Sequence, residues 1–185
     1  MNCKKIHYLI VMCLFSVSLM AKDSFFELES KTDRKLIIDF NLDSYEIQRT
    51  GDADQIILSN TPFDNEKKFS TFVQLEEGQE YNVDFDIVSS DLYSFESNED
   101  MYNPDLNYTT KEHIFRGVRI VEISFNPFIL NRSQQSINII NRASIEVNLS
   151  NSVPDNQNIR YSKTFLDMVN DFSINPIGLS SRDLN

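Results

Sequence analysis

From Ala143 to Ser150 the chain alternates without interruption. Ala143, Ile145, Val147 and Leu149 fall on one side, and Ser144, Glu146, Asn148 and Ser150 on the other. A period of two is the signature of a half-buried strand. The same rhythm runs through Tyr81, Val83, Phe85 and Ile87 against Asn82, Asp84 and Asp86, and through Leu36, Ile38, Phe40 and Leu42. Val121, Ile123 and Phe125 against Glu122 and Ser124 repeat it. Before Val121 the apolar set is even-numbered, at Ile114, Val118 and Ile120, and a bulge near Gly117 would reconcile the two registers. Residues 112–125 and 137–150 therefore read as two long antiparallel neighbours in one sheet, separated by the turn-rich stretch 126–136. Shorter strands are expected over 25–29, 55–58 and 69–75. Residues 45–49 read as a hairpin partner of 36–42, and 50–52 as a turn.

Two segments break this rhythm. Residues 89–108 are polar and aromatic, contain Asn103-Pro104, and read as one long connection of the length that usually carries function. Residues 151–158 form a linker containing Pro154. After it, Phe165, Leu166, Met168, Val169 and Phe172 recur at helical spacing behind a plausible N-cap, Ser162. Many short alternating strands and one helix define an all-β class: an antiparallel two-sheet sandwich with a short C-terminal helix.

The N-terminus changes the picture of compartment. Lys4 and Lys5 precede an apolar run over 6–20 that ends at Ala21, followed by the polar Lys22-Asp23-Ser24. This is the pattern of a secretory signal peptide cleaved between Ala21 and Lys22, and the run is short for a membrane span. The expected organisation is a signal peptide at 1–21, a β-sandwich domain at 22–150, and a linker, short helix and tail at 151–185. The mature protein is expected outside the cytoplasm, extracellular or periplasmic, with no membrane attachment after signal removal. Both cysteines, Cys3 and Cys13, lie in the leader. The mature chain therefore cannot be a disulfide scaffold, hold a thiolate zinc site or act through a cysteine nucleophile.

The net charge of −11 becomes −13 once Lys4 and Lys5 leave with the leader. Nucleic acid and anionic lipid need basic patches and are poor partners for such a chain. No catalytic, cofactor or metal motif emerges. His113 is the only histidine after the leader, the four glycines are scattered, and no nucleophile elbow, phosphate loop or paired-histidine helix occurs. Asp84 and Asp86 lie two apart on one strand face, which suits solvent better than the converging oxygen ligands of a calcium site.

Phe115-Arg116-Gly117 opening an alternating strand, Asn126-Pro127 after it, and Ile145-Glu146-Val147 closing the domain together resemble the gingipain-type propeptide. That is the N-terminal pro-domain of secreted, caspase-like cysteine peptidases. The Thr61-Pro62-Phe63 segment departs from the longer proline-containing segment usual there. The resemblance implies a non-catalytic pro-domain that assists folding of the peptidase and inhibits it until cleaved. It implies a cysteine peptidase catalytic domain as partner, in cis or in trans, and no cofactor. It also implies a basic side chain offered to the peptidase's specificity pocket, and Lys111, Arg116 and Arg119 are the candidates. Two alternatives stay open. The chain is the N-terminal piece of a larger gingipain-like peptidase or type IX secretion sortase, or it is a secreted β-sandwich binding module. For carbohydrate, such a module would use Tyr93, Tyr102 and Tyr108.

Overall fold

The computed structural model describes residues 25–42, 44–50, 53–58, 61–62, 68–94, 108–131, 135–150 and 161–177. The expected leader, with Ala21 and Lys22, lies outside them. In chain order the elements are β1 (Phe26–Lys31), β2 (Lys35–Asn41), β3 (Glu46–Thr50), β4 (Ala53–Leu58), β5 (Thr61–Pro62), β6 (Phe69–Leu75), β7 (Tyr81–Ser94), β8 (Thr109–Phe115), β9 (Val118–Phe125), β10 (Phe128–Asn131), β11 (Ser136–Leu149) and α1 (Lys163–Phe172). Every strand pairing is antiparallel. One sheet runs β1-β2-β11, with β7 along the other side of β11 and β10 beside its first residues. The facing sheet runs β6-β9-β8, and β3, β4 and β5 form a small third sheet.

The alternation explains the closure. Leu36, Ile38 and Phe40 of β2 and Ala143, Ile145 and Val147 of β11 meet Val73 and Leu75 of β6 and Val121, Ile123 and Phe125 of β9 in one core. Phe125 is its aromatic hub. The ring lies edge-on to Phe40 and Phe85, with centroids 4.7 and 4.8 Å away, the arrangement that suits ring quadrupoles. With no cysteine beyond residue 13, this apolar burial is the main cohesive force. The fold is thus the all-β sandwich with a short C-terminal helix that the sequence pattern indicates.

Several local expectations are corrected. Residues 112–125 are not one bulged strand but the β8–β9 hairpin, with Phe115 opposite Val118 across a two-residue turn. The apparent register shift arises because β9 is buried on both faces. Val121, Ile123 and Phe125 face the sandwich core, and Val118 and Ile120 face α1. Residues 112–125 and 137–150 are not neighbours either, since β9 and β11 belong to opposite sheets. Periodicity reveals which side of a strand is buried, not which strand lies beside it. The strand expected over 45–49 is β3, Glu46–Thr50, and it pairs with β4 rather than β2, whose edges are taken by β1 and β11. The expected connection 89–108 begins later, because 89–94 continue β7 along β11; residues 95–107 lie outside the described residues, as do Gly51 and Asp52 of the expected turn. Within the turn-rich stretch 126–136, Phe128–Asn131 forms β10 against the start of β11.

Helix α1 covers the outer face of the β6-β9-β8 sheet. Ser162 caps it as expected, accepting a hydrogen bond from the Phe165 backbone N–H. Phe165 and Val169, one turn apart, are buried against Val118 and Ile120, while Met168 of the expected apolar face is exposed. The chain then runs along the edge of β6. Ser173 bridges Phe72, and Ile174 donates to the Phe72 carbonyl at 2.8 Å. The Asn175 amide accepts from the Gln74 N–H at 2.7 Å and donates to the Gln74 carbonyl at 3.0 Å, completing with a side chain what another strand would supply.

Candidate functional site

The β8–β9 hairpin carries all three sequence-derived candidates, Lys111, Arg116 and Arg119, and the structure gives each a different setting. A two-residue hairpin loop of type I′, whose twist matches its strands, requires positive φ at both central residues. Arg116 stands at φ 51 and Gly117 at φ 90. Glycine adopts this conformation freely, but a residue with a Cβ is disfavoured there by about 1–2 kcal/mol. Arg116 therefore occupies the exposed apex of the hairpin at a backbone cost. Its guanidinium lies over the Phe165 ring, 5.4 Å from the centroid, and Tyr161 stacks on that ring at 5.2 Å. A cation–π contact at an exposed site contributes about 0.5–1 kcal/mol, so it offsets only part of the strain.

Arg119 is engaged in the body of the domain. Its Nε and Nη2 donate to the two oxygens of the Glu112 carboxylate at 2.7 and 3.1 Å. Its Nη1 donates to the Gln79 carbonyl at 2.7 Å and the Glu76 carbonyl at 3.3 Å. The bidentate hydrogen bonding holds the Glu112 carboxyl below its usual pKa and raises that of Arg119, against the opposing effect of burial. The chain of contacts continues, because the Gln79 side chain donates to the Ser150 carbonyl at 3.3 Å and Ser150 N–H donates to the Glu80 carbonyl at 2.9 Å. Arg119 thus ties the hairpin to the 76–79 turn and, through it, to the end of β11 in the facing sheet.

Lys111 is exposed on β8, directly across from Glu122 of β9. Glu122 accepts from Ser70 and Ser124 hydroxyls at 3.2 and 3.1 Å and is bonded to His113 Nε2 at 2.9 Å. Burial pushes its carboxyl up, but the hydrogen bonds from His113, Ser124 and Ser70 together hold it below its usual value. Both serine hydroxyls turn to this carboxylate, and His113 does too. One carboxylate thus ties β6, β8 and β9 together through Ser70, His113 and Ser124. Among the described residues no group of three His, Cys, Asp or Glu is placed to hold a metal ion.

Two of the tyrosines suggested for carbohydrate binding make contacts within the domain. Tyr108 stacks on Phe85 at 5.7 Å and donates to the Val83 carbonyl at 2.9 Å. Tyr93 is half-buried against the core, and Tyr102 lies outside the described residues. Sequence reasoning missed the roles of Glu112, Gln79 and Glu122, whose partners come together only through strand pairing. It also missed the left-handed apex at Arg116. The available signal was Arg-Gly between two alternating runs, although asparagine or aspartate usually precedes the glycine in such a turn.

No protein-family model matches the chain, and no curated protein matches it. Fold comparison supplies the class: the sandwich with its outer helix has the fold of a gingipain-type propeptide. The particular likeness is to the solved complex of Porphyromonas gingivalis RgpB pro- and mature domains. It has a TM-score of 0.57 at 17% identity and covers 83% of this chain and 98% of that one. At that identity the likeness establishes the fold. A structure of Porphyromonas gingivalis gingipain K, described in terms of zymogenic latency, is similar at 13% identity over 72% of this chain and 97% of that one. Its TM-score of 0.46 is too low to argue from. No helix among the described residues is long and apolar enough to cross a membrane.

Proposed function

We propose that this chain is a secreted, non-catalytic pro-domain that binds a gingipain-like cysteine peptidase, assists its folding and holds it inactive until cleaved. The fold supports the class, and the observation that carries the mechanism is Arg116. An arginine in a left-handed turn position at an exposed hairpin apex is a strained choice, and strain of this kind gathers at binding sites. An exposed hairpin apex is narrow enough to enter a specificity pocket, which supports reading Arg116 as the inserted side chain. A pocket lined by an acid rewards a guanidinium with paired, directional hydrogen bonds. Lys111, also exposed on the hairpin, is the second candidate contact. Arg119 is the scaffold of that hairpin. The catalytic domain acts as partner in cis or in trans. The leader at 1–21, cut between Ala21 and Lys22, directs export, and the body of the domain requires neither cofactor nor membrane.

The test is a titration of the cognate catalytic domain with wild type and with Lys111→Ala, Arg116→Ala and Arg119→Ala. Losing a desolvated charged anchor costs about 2–5 kcal/mol. Arg116→Ala should therefore weaken inhibition at least about thirtyfold while melting close to wild type. Equal inhibition by wild type and the Arg116→Ala and Lys111→Ala variants would overturn the mechanism.

A further inference from the structure

β8 is the last strand of its sheet, and among the described residues it pairs with β9 alone. The two-residue turn fixes which main-chain groups that pairing uses. In such a hairpin the residues flanking the turn exchange hydrogen bonds, and bonded pairs then alternate down the ladder. With Phe115 opposite Val118, residues 115, 113, 111 and 109 direct their N–H and C=O groups to β9. Thr110, Glu112 and Ile114 direct theirs outward, as three donors and three acceptors in register along an open edge. The opposite edge of the sheet is different: at β6 the chain's own Ser173 and Ile174 pair with Phe72.

We infer that the free edge of β8 is the seat of an extended segment of the peptidase's catalytic domain, which adds to the β6-β9-β8 sheet as its fourth strand. The inference rests on the pro-domain reading and names the surface through which the pro-domain docks. The outward main-chain groups select an extended strand over a helix. Ile114, 66% exposed on that edge, supplies apolar contact. Charge selects the class of segment. In a chain of net charge −11, Lys111 on the strand and Arg116 at its apex are basic, and Glu112 between them is engaged by Arg119, so the edge complements a segment flanked by acids. A second copy of the chain fits poorly. The fully overlapped antiparallel self-pairing, centred on Glu112, sets two Glu112 carboxylates opposite each other and Lys111 against a second His113.

The experiment is residue-resolved hydrogen–deuterium exchange on the full secreted chain. It is run alone and with the catalytic domain encoded in frame or beside it, its catalytic cysteine replaced by alanine. In the free chain the amides of Thr110, Glu112 and Ile114 exchange fast, and in the complex they slow, while those of Lys111 and His113 are protected in both. Thr110→Pro removes an outward N–H without deleting a β8–β9 bond. It should melt at the wild-type temperature and bind at least about tenfold more weakly, as expected for one lost hydrogen bond that leaves its partner unsatisfied. If the complex forms but the three amides stay fast, or Thr110→Pro binds like wild type, the edge is not the seat and the pro-domain reading stands. If no complex forms, both fall. If the amides slow in the chain alone as its concentration rises, a second copy is the occupant and the inference is overturned.

Discussion

Arg119 shows how much one side chain contributes to the geometry of this hairpin. All three of its nitrogens donate, to a carboxylate and two carbonyls, in a fork that lysine cannot reproduce. Partial exposure screens the charge component, so Arg119→Ala should lower stability by about 1–3 kcal/mol, and Arg119→Lys should recover little of it. Thermal melting checks this; a lysine variant as stable as wild type would contradict the clamp. Glu122 gives a pH-dependent counterpart. A carboxylate whose folded pKa lies below its unfolded value stabilises the fold above that value and loses the contribution as pH falls through the folded one. Glu122→Gln should therefore be less stable than wild type at neutral pH, with the gap closing as pH drops below 4.5, the ordinary glutamate value. Melting both proteins from pH 7 down to pH 3 tests the sign, and a gap constant across that range would contradict it. Neither role was legible in sequence. Glu112 and Arg119 are seven residues apart and Glu122 and Ser70 fifty-two apart, and only the ladders bring them together.

At the scale of elements, the hairpin turn makes the sharpest demand on sequence. Gly117 at φ 90 is required by the turn, so Gly117→Ala should destabilise by about 1–2 kcal/mol. Arg116→Asn should do the opposite, gaining up to about 1 kcal/mol from relieved strain while losing inhibition. Denaturation and inhibition measured on the same two variants separate the requirements of the turn from those of binding. An Arg116→Asn variant that inhibits fully would leave the strain without a function. The strands themselves were most legible where one face was buried: β2, the first half of β7, and β11 from Ala143. The hairpin was hidden because β9 is sandwiched between the core and α1, so its two apolar sets overlapped and resembled a slipped register. The helix cap at Ser162 was legible because capping is local chemistry. The pairing of Ser173 and Asn175 with β6 was not, because nothing in their neighbourhood marks a β6 partner.

For the whole molecule, two faced sheets and a covering helix hold the hairpin on a stiff base, and Phe125 links much of the core. Phe85, half-buried against Phe125 and Tyr108, should cost about 3 kcal/mol when replaced by alanine. Asp84→Ala, on the solvent face of the same strand, should cost under about 0.5 kcal/mol. The class of fold was legible because alternation with few helices leaves few ways to close a core. The placement of strands in facing sheets was not, because a half-buried strand reads the same in either. What the fold is proposed to do is tested most directly by adding the full chain to the proposed partner, a gingipain-like catalytic domain, and following peptidase activity. The expected result is a stoichiometric loss of activity that returns when the chain is cleaved. Full activity at saturating excess of intact, folded chain would contradict the account.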